Sequence, residues 1–216
     1  EAIGEGVVET LRERQYCTVF LNISKEESMT AFTTEKIDVE PWFDMELFMG
    51  VSQETRLGGD VMDRFMTLWK NWLPHLTVKG IDTGKIKYLL VALDESVEQD
   101  VDKAWESSPS NAFLYNALAQ TMCMAAVHAV IPEVQDAGCA PAPKPTATLR
   151  EALEVEGIPY SNDKDPILSR RYAVVTHYPF KGGCEICVLQ SNCPKGQGQM
   201  EATSVVLPGY EHPQQM

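Results

Sequence analysis

The 216-residue chain has the composition of a folded globular protein. Hydrophobic residues make up 44% of it and charged residues 23%, which excludes disordered, collagen-like and coiled-coil classes. Thirty-one acidic residues against eighteen basic ones give a formal net charge of -13. Because such a chain repels polyanions, we expect no nucleic-acid partner.

The sequence shows no pattern for membrane insertion or export. No apolar run approaches the length of about 18 residues that a membrane-spanning helix needs. A signal peptide would begin with positive charge and continue with an apolar stretch, but the chain instead carries Glu1, Glu5, Glu9 and Glu13. We therefore predict a cytoplasmic protein that does not bind a membrane.

Hydrophobic spacing predicts helices along most of the first 137 residues. Apolar positions recur at intervals of three and four, and several runs begin near a capping residue or a proline. The last run is apolar on nearly all faces, which is typical of a helix at the centre of a bundle. The predicted helices span residues 2–15, 24–32, 41–50, 58–73, 94–106 and 111–131.

Short apolar runs are harder to assign. Residues 85–93 fit a helix or a buried strand, since periodicity does not separate the two; we favour a helix. A short helix is expected at 148–155, and short strands near 16–23 and 171–178 are also compatible with the sequence. The predicted fold class is mainly α, with a helical body and a C-terminal metal-binding loop subdomain. Its parts are a body at 1–137, a Pro-rich connector at 138–147, the metal-loop subdomain at 148–200 and a tail at 201–216.

Three of the six cysteines lie within ten residues, at Cys184, Cys187 and Cys193. The six are too sparse for a disulfide scaffold, so the crowding indicates a metal site. Gly182 and Gly183 allow a tight turn before the first thiolate. Grouped thiolates repel each other unless a cation compensates their charge. With His177, the pattern becomes His-x6-Cys-x2-Cys-x5-Cys.

This spacing resembles a known cluster loop. The Cys184, Cys187 and Cys193 triplet resembles the last three ligands of the [4Fe-4S] loop in endonuclease III-type DNA glycosylases, Cys-x6-Cys-x2-Cys-x5-Cys. Similar triplets occur in RecB-type CRISPR-associated nucleases and in radical-SAM auxiliary domains. The resemblance covers residues 177–194 alone and implies that the three cysteines are cluster ligands.

The fourth ligand is a departure from the glycosylase pattern, because His177 stands where that pattern has a cysteine. A histidine-ligated cluster, a zinc site and a fourth ligand from elsewhere all stay open. We favour [4Fe-4S] over zinc, although Cys3His ligation also suits structural zinc. Cys139 is the second choice as fourth ligand, ahead of Cys17 and Cys123.

Other conspicuous residues receive structural interpretations. The four tryptophans, Cys123 and His128 are assigned to helix packing, and the acidic run at 94–102 to a solvated helix face. Arg170 and Arg171, with Lys181 and Lys195, form a local basic concentration that either offsets nearby negative charge or docks an anionic partner.

The predicted function is that of a metal-binding, iron-sulfur protein with a structural or electron-transfer cluster and a protein partner. One alternative is a zinc-stapled interaction or scaffold protein without redox activity. Another is an enzyme whose cluster is structural and whose active site lies in the helical body. The sequence has no phosphate loop, dinucleotide fingerprint or nucleophile-base pattern, so no reaction is predicted.

Overall fold

Four strands form one antiparallel sheet in the part of the chain that the structure describes, residues 31–162 and 166–193 of a computed structural model. The strands lie in the order β1-β2-β3-β4, so each one pairs with its neighbour in the chain. β2 and β3 form a hairpin, with Leu76 opposite Leu93 and Asp82 opposite Lys87. The strands are β1 (Thr33–Lys36), β2 (Leu76–Asp82), β3 (Lys87–Leu93) and β4 (Ala173–His177).

Six α-helices accompany the sheet within the same residues. Short polar side chains begin four of them: Asp44, Asp94, Ser108 and Thr146 each accept a hydrogen bond from a backbone N–H in the first turn. Capping therefore fixes where these helices start. They are α1 (Met45–Ser52), α2 (Gly59–Trp72), α3 (Glu95–Ser107), α4 (Pro109–Val130), α5 (Glu133–Ala137) and α6 (Ala147–Val155).

Strand β3 is buried on both faces. Leu89, Val91 and Leu93 pack into the cluster that contains the apolar faces of α1–α4. Leu90 and Ala92 point to the opposite face and pack with α6. Alternate side chains of a strand lie on opposite faces, so the sheet separates two hydrophobic cores and β3 contributes to both.

The mainly α prediction is wrong, because the fold is mixed α and β. The helix predicted at 85–93 is strand β3, whose continuous apolar run reflects burial on two faces rather than one helical face. Strands β1 and β2 were not predicted. All four residues of β1 are exposed and polar, so the strand carries no hydrophobic pattern.

Helices α2, α3, α4 and α6 confirm the sequence prediction at their positions. The helix predicted at 41–50 is present as α1, but it begins at Met45 rather than at Pro41, because Asp44 caps it. The strand compatible with 171–178 corresponds to β4. The elements predicted between residues 2 and 30 lie outside the described residues. Ala31 and Phe32, at the end of the helix predicted at 24–32, are not helical.

Helix α4 is the central helix, as its apolar circumference predicts. Ten of its residues are buried, and it packs against α1, α3 and β3. Contrary to the expectation that no apolar run approaches a membrane-spanning length, α4 is the one helix among the described residues that is long and apolar enough to cross a membrane. Half of that apolar stretch is buried inside the protein, and the core helix of a folded protein passes the same test.

Two adjacent truncations test the burial of β3 on both faces. We expect Leu89→Ala and Leu90→Ala each to lower the free energy of unfolding by about 2–5 kcal/mol, because each leaves a cavity in a different core. Chemical denaturation measures the change. Val155→Ala on α6 is the control, since Val155 is 68% exposed. A cost below about 1 kcal/mol for either leucine would contradict the two-sided burial.

Candidate functional site

The cysteine loop, residues 178–193, follows directly on β4 and consists of successive tight turns. The Cys187 N–H donates to the Cys184 carbonyl at 3.2 Å, and the Gln190 N–H donates to the Cys187 carbonyl at 3.1 Å. The Cys193 N–H donates to the Gln190 carbonyl at 3.3 Å. Each such turn brings residues three apart to within about 7 Å between Cα atoms, so the backbone keeps the cysteines in neighbouring turns.

Gly182 is required at the start of the loop. Its φ angle of +135° lies in a region that side chains rarely adopt, and a Cβ there would lie 2.3 Å from the Glu185 Oε1 atom. Glu185 in turn accepts a hydrogen bond from the Gly183 N–H at 2.9 Å. The glycine pair thus lets the chain turn just before Cys184, as the sequence predicts.

The Pro-rich connector fastens this loop to the sheet. On β4, the buried Thr176 hydroxyl donates to the Pro141 carbonyl at 2.9 Å. One residue further along the connector, the Ala142 carbonyl accepts from the Val188 N–H at 3.0 Å. Cys139 belongs to the same connector, three residues before Ala142. The connector therefore contacts both the last strand and the cysteine loop.

The loop thiols differ in environment from the thiol of Cys123. Cys184, Cys187 and Cys193 are partly exposed and form no disulfide. Cys123 is buried in α4, where its Sγ contacts the Tyr172 carbonyl at 3.5 Å. Burial raises the pKa of Cys123 to about 12, so this thiol stays protonated and behaves as an ordinary core residue.

His177 ends β4 with its ring packed against Tyr88, at 5.4 Å between ring centroids. Its Nδ1 atom is buried and has no hydrogen-bond partner. Burial, together with the nearby charge of Lys181, lowers the pKa of His177. The imidazole is therefore neutral near pH 7 and holds a nitrogen lone pair that could bind a metal or accept a hydrogen bond.

The four predicted ligands do not converge. Among the described residues, which include His177, Cys184, Cys187, Cys193 and Cys139, no three His, Cys, Asp or Glu side chains form a group that could hold a metal ion. The structure places the three cysteines on one short loop and His177 at the end of β4, directly before that loop. Cys17, another alternative ligand, lies outside the described residues.

A Ser-His-Asp group that the sequence analysis missed lies where β2 begins and β3 ends. The His75 Nδ1 atom lies 2.6 Å from Asp94 Oδ2 and 3.1 Å from the Ser96 hydroxyl. A nucleophilic triad needs the serine and the carboxylate on different ring nitrogens. Because both contacts meet one nitrogen here, the group is not a catalytic triad. Asp94 instead caps α3, where it accepts a hydrogen bond from the Ser96 N–H at 2.9 Å.

Arg170 and Arg171 are paired with the acidic helix α3. Arg171 contacts both carboxylate oxygens of Asp102, at 2.7 and 3.2 Å, and its backbone N–H donates to Glu98 at 2.9 Å. Arg170 lies 3.8 Å from Glu98. The acidic run at 94–102 is therefore more than a solvated face, since it holds the segment that leads into β4.

Comparison of the chain with protein-family models, with curated proteins and with solved structures gives no match. The resemblance of residues 177–194 to [4Fe-4S] loops stays a prediction that depends on the cysteine spacing alone.

Thiol labelling tests the difference between the loop cysteines and Cys123. We expect iodoacetamide to modify Cys184, Cys187 and Cys193 in the folded, metal-free protein at least about tenfold faster than Cys123, because Cys123 is buried and protonated. Peptide mass spectrometry assigns the modified positions. In denaturant all of these rates should become similar. Equal rates in the folded protein would contradict the described burial of Cys123.

Proposed function

We propose that the cysteine loop is a metal centre and that the protein is an iron-sulfur protein. In this proposal Cys184, Cys187 and Cys193 are thiolate ligands of a [4Fe-4S] cluster. The observation that carries it is the presence of three partly exposed thiols in neighbouring tight turns of one ten-residue segment. Thiolates are the usual ligands of such clusters.

His177 is proposed as the fourth ligand. Its buried Nδ1 atom lacks a hydrogen-bond partner, and an unpaired buried nitrogen costs free energy unless a donor or a metal satisfies it. The lowered pKa of His177 favours the neutral form that binds metals. Cys139 is the alternative, because the connector that carries it contacts the loop through Ala142.

Binding would require the ligands to move together. The loop side chains are only partly buried, so the loop has little core packing to lose when it closes around a metal. Metal binding and ordering of the loop would then be coupled, as they are in other small metal sites. When bound, the cluster would supply one-electron transfer or a structural cross-link between the loop and the sheet.

A protein partner fits this proposal better than a polyanion. Val188 and Leu189, next to Cys187, are each 38% exposed. A small apolar surface beside a redox centre suits the small interfaces of transient electron-transfer complexes. The proposal also keeps the expected cytoplasmic location, where thiols remain reduced.

Zinc is the second candidate metal. Three thiolates and one neutral imidazole form a complete Cys3His ligand set for structural zinc. In that case the protein would be an interaction or scaffold protein whose loop is held by the metal. A protein with the iron-sulfur cluster and a protein with the zinc site would differ in colour, metal content and redox activity.

Anaerobic purification followed by metal analysis tests the metal centre. We expect about four irons per chain and broad absorption at about 400 nm in the wild type, because [4Fe-4S] clusters absorb there. Cys184→Ser, Cys187→Ser and Cys193→Ser should each lose most of both signals. Cys123→Ala is the matched control and should keep them, since that thiol is buried in α4.

The same measurement separates the alternatives. Loss of iron in His177→Ala but not in Cys139→Ala would identify His177 as the fourth ligand, and the reverse would identify Cys139. One zinc per chain without visible absorption would support the zinc candidate and contradict the cluster. Neither metal in the wild type would overturn the proposed function.

A further inference from the structure

A hollow between α1, α4 and α5 has the size of a small-molecule site. Its volume is about 520 Å³, within the range of about 300–1,000 Å³ that is usual for ligand pockets. A smaller hollow of about 90 Å³ adjoins it. The two share Asp44, His128 and Gln135 as wall residues, so they form one continuous surface.

Trp42 stands beside this hollow and is 72% exposed. Both of its neighbours are held in place. The Pro41 carbonyl accepts a hydrogen bond from the Trp69 Nε1–H at 3.1 Å, and the Phe43 ring lies edge-on to the Trp69 ring at 5.3 Å. The packing role predicted for all four tryptophans is therefore wrong for Trp42, whose indole is presented to solvent by a fixed backbone. It is confirmed for the buried Trp69 and Trp72, whereas Trp105 is 46% exposed.

The polar wall groups of the hollow favour a positively charged ligand. Asp44 and Glu46 contribute carboxylates, and none of the described residues that line the hollow is a lysine or an arginine. Burial lowers the pKa of His128, and this effect is larger than the opposite effect of the negative charge on Asp44. The imidazole is thus neutral near pH 7 and has a nitrogen that accepts a hydrogen bond.

Apolar side chains line the rest of the hollow. Leu47 and Val51 belong to α1, and Met124 lies one turn before His128 on α4. A ligand that fills this space must combine a cationic group with a hydrocarbon part. An ammonium ion has the donors that carboxylate and imidazole acceptors need, and it is attracted to the face of an indole ring.

We propose that this hollow binds a small aliphatic primary ammonium ion. The ammonium group would lie between Asp44, His128 and the indole of Trp42, with the hydrocarbon chain against Leu47, Val51 and Met124. The site shares no residue with the proposed metal centre, so the two proposals can be tested independently.

Calorimetric titration of the full chain with hexylammonium at neutral pH tests the site, with 1-hexanol as the uncharged ligand of equal chain length. We expect hexylammonium to bind at least about tenfold more tightly than 1-hexanol, since a charge-assisted hydrogen bond contributes that much. Asp44→Asn should weaken hexylammonium binding by about tenfold. This variant keeps the start of α1 intact, because asparagine caps a helix as well as aspartate does.

Glu106→Gln is the matched control, because it removes one exposed carboxylate from α3, outside the hollow. Its binding of hexylammonium should equal that of the wild type. Nα-acetyl-lysine methylamide tests whether the ammonium comes from a protein side chain; binding as tight as that of hexylammonium would overturn the small-molecule assignment. Equal binding of hexylammonium and 1-hexanol, equal weakening by Glu106→Gln, or no binding would overturn the site itself.

Discussion

Strand β3 is buried on both faces, and the other described elements are arranged around it. One face packs with the α1–α4 core and the other with α6. β4 pairs with β3 at the edge of the sheet, and the connector is fastened to β4 through Thr176. The cysteine loop is fastened to the connector through Val188. The position of the candidate metal centre thus follows from one strand that contributes to two cores, through a short series of backbone and side-chain contacts.

Acidic side chains of α3 hold neighbouring parts of the structure in place. Asp102 and Glu98 hold Arg171 just before β4 begins, and Asp100 accepts a hydrogen bond from the buried Trp72 ring. Hydrogen bonding to Arg171 lowers the pKa of Asp102, so this carboxylate stays ionised. Exposed ion pairs are individually weak. Here, however, the Arg171 side chain contacts both carboxylate oxygens of Asp102, and the Arg171 backbone N–H donates to Glu98. The entry to β4 is therefore fixed from α3 as well as from β3.

Local signals account for what the sequence predicts correctly. Helices α2, α3 and α4 have apolar spacing and clear ends. The metal-loop hypothesis also depends on local spacing, within ten residues, and stays a prediction. β3 was misassigned because burial on two faces removes the alternation that identifies a strand. The contact between Ala142 and Val188 joins residues far apart in the chain, so no local pattern indicates it. Trp42 was misassigned because spacing does not reveal that both of its neighbours are anchored by Trp69.

Native mass spectrometry of the anaerobically purified chain tests whether the cysteine loop is an iron-sulfur centre. The method weighs metal and inorganic sulfide together on the intact protein. We expect a mass increment of four irons and four sulfides, lost when Cys187 is replaced by serine and kept when Cys123 is replaced by alanine. A mass increment of one zinc would contradict the cluster and support a structural zinc site. A chain without added mass would contradict the metal centre altogether.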